Sequence, residues 1–353
     1  MRKERILQMP GPVRVLVVDD SAVMRKIITE MLERDPSVKV VGAARNGQEA
    51  VHLVKELKPD VVTLDIEMPV MDGLTALQHI MNESPVPVVM LSAVGKRQSE
   101  LTLKSLERGA VDFIPKTGAS LSLDLEMERD LIVQKVKAAS QADIKPLPIS
   151  TERPIVSSEV RSTCGDWVVM IGASTGGPKA LPEVLSRLPS DLPAGVLIVQ
   201  HMPEGFTRSF AERLNWVSAI EVREAEEGDP VEMGVALLAP GNRHMVLRDG
   251  RIHLNDDPKV HYVRPAVDPM MRTVAPAYGP RCVGVILTGM GFDGVEGMRE
   301  VKRQGGKTIV QDERSCVVYG MPKAIVDAGA ADKVAPVDQI ARHIVMAMAD
   351  VGV

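Results

Sequence analysis

A chain of 353 residues with 45% hydrophobic and 25% charged side chains has room for two globular domains, each with its own core. A net charge of −5 without a basic face disfavours a nucleic-acid partner, and three cysteines without CxxC spacing disfavour a disulfide scaffold or zinc site. The basic N-terminus lacks an apolar core and no run reaches membrane-spanning length, so a cytoplasmic chain with no membrane insertion is expected.

From Val13 onward strands and helices alternate. Val13–Val18, Val38–Ala43, Val61–Leu64, Val86–Leu91 and Val111–Ile114 read as buried strands. Ser21–Arg34, with Ser21 as N-cap, and Gln48–Leu57, Leu74–Met81 and Glu100–Arg108 read as helices. Five strands with intervening helices predict a doubly wound parallel sheet. Polar residues stand where such a sheet places its site, at the carboxyl ends of strands. Asp19 and Asp20 end the first strand, Asp65 the third and Ser92 the fourth, and Lys116 follows the fifth. Three close carboxylates repel one another unless a cation joins them, and an all-oxygen donor set suits Mg²⁺. Lys116 would pair with an anion carried at Asp65, and Ser92 would hydrogen-bond it. One such acid alone is more often a helix cap. Five polar residues on matched strand ends are not readily explained that way.

Val17-Val18-Asp19-Asp20-Ser21, Asp65-Ile66-Glu67-Met68-Pro69-Val70-Met71-Asp72-Gly73, Leu91-Ser92-Ala93 and Asp112-Phe113-Ile114-Pro115-Lys116 closely resemble the response-regulator receiver family. The resemblance implies a flavodoxin-like domain phosphorylated on Asp65 by a histidine kinase. It also implies Mg²⁺ held by Asp19, Asp20, Asp65 and the Glu67 carbonyl, and a phosphorylation switch of Ser92, Phe113 and Lys116. Thr117 departs from the pattern, which usually has a proline there, often after a cis peptide. A cis bond before a non-proline residue costs about 2.5–4 kcal/mol, which favours trans and leaves the aim of Lys116 open.

Leu121–Ala139 has the apolar spacing of a further amphipathic helix. From Gln141 the prolines 146, 148 and 154, mixed with serines and threonines, read as a semi-extended linker. The expected division is a receiver over 12–130, a helical and Pro/Ser linker over 131–165, and an output domain over 166–353.

The output domain opens on an apolar run, Val168–Ile171, that ends in Gly172-Ala173-Ser174-Thr175-Gly176-Gly177-Pro178, with a helix from Lys179 to Leu188. A strand, a tight turn and a helix N-terminus put Ser174 in the turn, with glycines for the bend and for close approach of a substrate. Gly172-x-Ser174-x-Gly176 fits a nucleophile elbow. A phosphate-cradling loop fits less well without GxGxxG or GK[ST], and a βα turn with no chemistry stays open. Gly195–Gln200 is a second strand, followed at once by His201. Val283–Leu287 is a third, running into Thr288-Gly289-Met290-Gly291-Phe292-Asp293-Gly294. Ser174, His201 and Asp293 therefore share one sheet edge and supply the groups that acyl transfer requires. Each has a plainer reading. His244, His253 and His261 rival His201 as the base, and Asp293 suits a glycine-rich turn. The order Ser–His–Asp also differs from that of α/β-hydrolases, so the elbow does not bring that fold with it.

Gly172-Ala173-Ser174-Thr175-Gly176-Gly177, Gln200-His201-Met202-Pro203, Phe206-Thr207-Arg208-Ser209-Phe210-Ala211, Leu238-Ala239-Pro240-Gly241, Leu287–Gly294 and Ser315-Cys316-Val317-Val318-Tyr319-Gly320-Met321-Pro322 resemble the chemotaxis protein-glutamate methylesterase family, CheB type. The resemblance implies a doubly wound, mainly parallel α/β hydrolytic domain that needs no cofactor for ester hydrolysis. Ser174 would be the nucleophile, His201 the base and Asp293 its orienter. The backbone around Met290 would contribute to the oxyanion hole, with Thr175 beside the nucleophile. The implied substrates are methylated glutamates on chemoreceptor cytoplasmic helices, with glutamine deamidation as a second activity, and phosphorylation of Asp65 would raise the rate. Where the family often reads His-Arg-Pro-Ser-Val-Asp, this chain has Val263-Arg264-Pro265-Ala266-Val267-Asp268, a change expected at the substrate rim and not at the triad. A different class stays open beside the enzyme: a phosphorylation-dependent adaptor with an inactive hydrolase-like domain.

Overall fold

The computed structural model describes residues 11–93, 95–116, 125–142 and 167–349. Thr117 and the Pro/Ser stretch from 143 to 166 lie outside the described residues, and with them the expected peptide geometry and linker. Described residues up to Leu91 belong to one compact unit and those from 167 onward to another, with 92–144 divided between them. Among the described residues no helix is long and apolar enough to cross a membrane.

The N-terminal elements are β1 (Val13–Val18), α1 (Ala22–Glu33), β2 (Val38–Ala44), α2 (Gly47–Leu57) and β3 (Val61–Asp65), followed by α3 (Gly73–Glu83), β4 (Val88–Ala93), α4 (Lys96–Glu107), β5 (Asp112–Lys116) and α5 (Leu125–Ser140). They build the expected five-stranded parallel sheet, in the order β2-β1-β3-β4-β5. Valine and leucine dominate β1, β3 and β4 because the middle strands of such a sheet are covered on both faces; Val15–Val18, Val61, Val62, Leu64 and Val88–Leu91 are all buried. Helix α5 packs on α1 and β3 and buries Val133, Val136 and Ala139, so the sequence boundary at residue 130 falls inside an element of this sheet's own packing.

The second unit runs β6 (Trp167–Ala173), α6 (Gly177–Leu185), β7 (Ala194–Gln200), α7 (Thr207–Val217), β8 (Glu221–Glu224) and β9 (Val235–Leu238). A hairpin of β10 (His244–Arg248) and β11 (Arg251–Asn255) follows, then α8 (Val267–Tyr278), β12 (Cys282–Ile286) and α9 (Val295–Arg303). The chain closes with β13 (Lys307–Gln311), α10 (Met321–Asp327), β14 (Lys333–Ala335) and α11 (Val337–Ala349). Its sheet has seven strands in the order β14-β13-β12-β6-β7-β9-β8, every pairing parallel. Thioethers fill the core beside it: Met170, Met270, Met271, Met298 and Met321 are fully buried.

Both sheets reverse direction beside their first strand. In the first the switch lies between β1 and β3; in the second, β7 adds to one side of β6 and β12 to the other. The crevice at a switch point is where an open α/β sheet presents its ligand site.

Candidate active site

At the first switch point the ligand atoms of Asp19, Asp20 and Asp65 lie within 4.8 Å of one another. Asp19 and Asp65 are buried and Asp20 is exposed. Asp19 Oδ1 accepts the Ser21 N–H at 2.9 Å, and Asp65 Oδ1 accepts that of Ile66 at 2.8 Å, which fixes both carboxylates by local backbone. Three carboxylates at this spacing form a hard, all-oxygen donor set, so the residues fit Mg²⁺. Glu67 sits in the loop after β3, and Ser92 and Lys116 fall at the carboxyl ends of β4 and β5. Ser92 is fully buried and its oxygen accepts from the Thr102 hydroxyl at 2.6 Å. Phe113 is buried as well, with Lys135 Nζ 5.4 Å above its ring and donating to its carbonyl at 2.9 Å.

At the second switch point, Ala173 and Gln200 pair in register, so Ser174 and His201 are the next residues on neighbouring strands. The Ser174 N–H donates to the Thr288 carbonyl (3.0 Å) and the His201 N–H to that of Ala173 (3.0 Å), drawing the ends of β6, β7 and β12 together. Gly289 presses against the serine; a Cβ there would lie 2.8 Å from Ser174 Cβ, so only glycine fits. Met290 follows, half-buried, and its N–H has no acceptor among the described residues.

His201 Nε2 and Asp293 Oδ2 are 2.8 Å apart. With Nε2–H directed at the carboxylate, Nδ1 keeps the lone pair that can take a proton. Asp293 is almost fully buried, at 2% exposure, and is held from the other side by the N–H groups of Val267 (2.6 Å) and Asp268 (3.0 Å) in the first turn of α8. Burial pushes its carboxyl up, but the His201 hydrogen bond and charge and the two amides outweigh burial and hold it below the usual carboxylate range. Asp268 is the converse. Burial, and then the nearby Asp293 charge, push its carboxyl up, although it accepts from the Gly297 N–H at 2.7 Å.

The rival histidines separate cleanly. Buried His244 uses both ring nitrogens, Nδ1 accepting from the Ala266 N–H and Nε2 facing the Pro258 carbonyl, and burial lowers its pKa. His253 pairs with Glu227 at the surface. His261 meets Asp268 at 3.3 Å and packs edge-on against Phe292, 4.3 Å between ring centroids. His261, Asp268 and Asp293 could together surround a metal ion, but backbone amides and His201 already occupy the two acids.

In the segment Val263–Asp268 the departures stand at 263 and 266, and the amides that hold Asp293 belong to Val267 and Asp268. One expectation about the glycines needs correction. The glycine at 177 serves a neighbouring side chain: a Cβ there would fall 1.9 Å from Gln200 Oε1. Gln200 and Thr288, both buried beneath the turn, were missed as site residues. Their signal was a polar residue closing a run of valine, isoleucine and leucine, where burial demands a hydrogen-bonding duty.

A model described as CheB methylesterase matches residues 169–344, and one described as response regulator receiver domain matches 15–126. A protein-glutamate methylesterase/protein-glutamine glutaminase of Symbiobacterium thermophilum is 51% identical over 354 residues, covering 96% of this chain and 98% of the relative. The chain belongs to the CheB methylesterase family. One of the same description from Pyrococcus horikoshii is 48% identical over 344 residues, covering 95% and 94%. Among solved structures, the Thermotoga maritima CheB methylesterase catalytic domain aligns with a TM-score of 0.50 and 41% identity, over 52% of this chain and 99% of that one. A receiver domain implies Mg²⁺-dependent phosphorylation in general.

Proposed function

We propose that this chain hydrolyses γ-glutamyl methyl esters on chemoreceptor cytoplasmic helices and deamidates receptor glutamines, under control of phosphorylation at Asp65. The observation that carries the reading is the His201–Asp293 pair at the edge where Ser174 follows β6. Ser174 Oγ attacks the ester carbonyl while His201 Nδ1 takes the hydroxyl proton. The Met290 N–H faces the developing oxyanion. Collapse expels methoxide, which His201 protonates to methanol. Water, activated by the same nitrogen, then cleaves the acyl-serine to glutamate. With a glutamine substrate the leaving group is ammonia. Asp293 stays ionised throughout and holds the imidazole in one tautomer.

In the receiver, Asp19, Asp20, Asp65 and the Glu67 carbonyl would hold Mg²⁺, which when bound offsets phosphate charge. Lys116 and Ser92 engage the phosphoryl group on Asp65, Phe113 reports it, and a chemotaxis histidine kinase in the cytoplasm is the donor. The adaptor reading is weaker because it gives the His201–Asp293 pair no task. Methanol release from methylated receptor membranes, with and without a small phosphodonor, tests the proposal. Release by wild type, lost with Ser174→Ala, supports it; a protein that binds receptor and releases no methanol is an adaptor.

A further inference from the structure

Gln200 is the last residue of β7 and is 2% exposed. Its Nε2 donates to the Ser174 carbonyl at 2.9 Å and to the His201 carbonyl at 3.2 Å. One planar amide therefore bridges the residues that follow β6 and β7, and its two N–H bonds match two acceptors. Reversing the amide would set its oxygen against two carbonyl oxygens, so the orientation is determined by its surroundings. Oε1 faces the other way, buried and without a hydrogen-bond donor, toward the α-carbon of Gly177. Any larger residue at 177 would strike it, since a Cβ there lies 1.9 Å away. A leucine or methionine would fill this place in a Val/Ile strand without stranding a buried oxygen. An amide retained at that cost points to a duty beyond packing.

We infer that Gln200 is a positioning residue for the nucleophile and base, tying the backbone at Ser174 to the backbone at His201 so that Oγ and Nδ1 keep their alignment. The Ser174 carbonyl also accepts the Gly177 N–H at 2.8 Å, so the turn is held from α6 and from β7 together. Gln200 touches no reacting atom. It acts through the two residues that do, and the inference rests on the triad reading given above.

The test uses the full-length, phosphodonor-treated protein and Gln200→Met, which keeps the length and loses both donors. Steady-state methanol release should show kcat reduced about 10²-fold, the usual effect of misaligning reacting groups, with KM within about twofold of wild type. A fluorophosphonate that acylates active serines should label Ser174 correspondingly more slowly, independently of receptor binding. Thermal unfolding accompanies both measurements. If Gln200→Met fails to fold, Gln200→Asn, which keeps the amide but is too short to bridge both carbonyls, carries the same expectations. Labelling and kcat at wild-type rates in a folded variant would overturn the inference. So would a raised KM at constant kcat, which would assign Gln200 to substrate binding. Failure of the probe to label Ser174 in wild type would instead strike the triad reading.

Discussion

Helices of the two units begin differently. In the receiver, α1, α2 and α3 are each capped by their own side chain: Ser21 accepts from Met24 N, Asn46 from Glu49 N and Asp72 from Thr75 N. In the catalytic unit, α6 to α10 start at Gly176, Phe206, Ala266, Gly294 and Gly320, and no side chain caps any of them. A helix start leaves several N–H groups without partners inside the helix and carries a partial positive charge. The receiver satisfies these locally. In the catalytic unit α8 gives its first-turn amides to Asp293, and α9 gives one to Asp268. Asp293, buried beside His201, is held below the usual carboxylate range partly by these fixed donors.

The largest effect lies at the chemistry. Ser174→Ala should cost about 10⁶-fold in kcat and Asp293→Asn about 10⁴-fold, since the orienting acid contributes less than the nucleophile. Methanol release measures both. A serine variant retaining a tenth of the wild-type rate would end the triad assignment.

Next comes the receiver. A small phosphodonor with Mg²⁺ should stimulate the full-length enzyme by roughly 5- to 150-fold, the span of a coupling of about 1–3 kcal/mol. Asp65→Asn or chelation of Mg²⁺ should remove that stimulation and leave the basal rate. Persistent stimulation of the Asn variant would show that the acid cluster is not the phosphoacceptor site.

The two neighbouring acids should respond to pH in opposite senses. Asp293 is depressed in the folded state, so its contribution is present above the unfolded value of about 3.9 and is lost as pH falls through the folded one. Asp268 is raised, so its burial penalty develops as pH climbs above about 3.9. Melting temperatures should fall for Asp293→Asn at pH 7, with the gap closing on acidification below about pH 4. Asp268→Asn, whose amide oxygen can still accept from Gly297, should melt no lower than wild type at pH 7. Gaps that stay constant with pH would mean that neither acid is held as the geometry indicates.

Much of this arrangement was legible in the residues. Apolar runs closing in Asp19-Asp20, Ser174, His201 and Thr288 located both sheet edges, because a strand covered on both faces must be apolar until it reaches the site. The amide support of Asp293 was not legible. It comes from backbone N–H groups more than twenty residues earlier, at 267 and 268, and a backbone donor leaves no trace in residue type. Gln200 was hidden differently. Its partners are carbonyls, so its side chain named no neighbour, and only its place at the end of an apolar run marked it.

The start of α8 is the sharpest probe of the capping contrast. Ordinarily a serine replacing alanine at an N-cap stabilises a helix by about 1 kcal/mol, because its oxygen accepts the second or third N–H of the first turn. In α8 those positions are Asp268 and Pro269. The Asp268 N–H is already given to Asp293, and proline has none. A hydroxyl at 266 would find no orphan donor, and Ala266 is fully buried with its own N–H on His244. Ala266→Ser should therefore bring no stabilisation, the buried hydroxyl costing up to about 1–3 kcal/mol if it finds no partner, whereas Asp72→Ala, which uncaps α3, should cost about 1 kcal/mol. Urea denaturation of the two variants beside wild type decides it. A stabilisation near 1 kcal/mol from the new serine would mean that the first turn of α8 has an amide to spare, and that Asp293 is held less firmly than its two short contacts indicate.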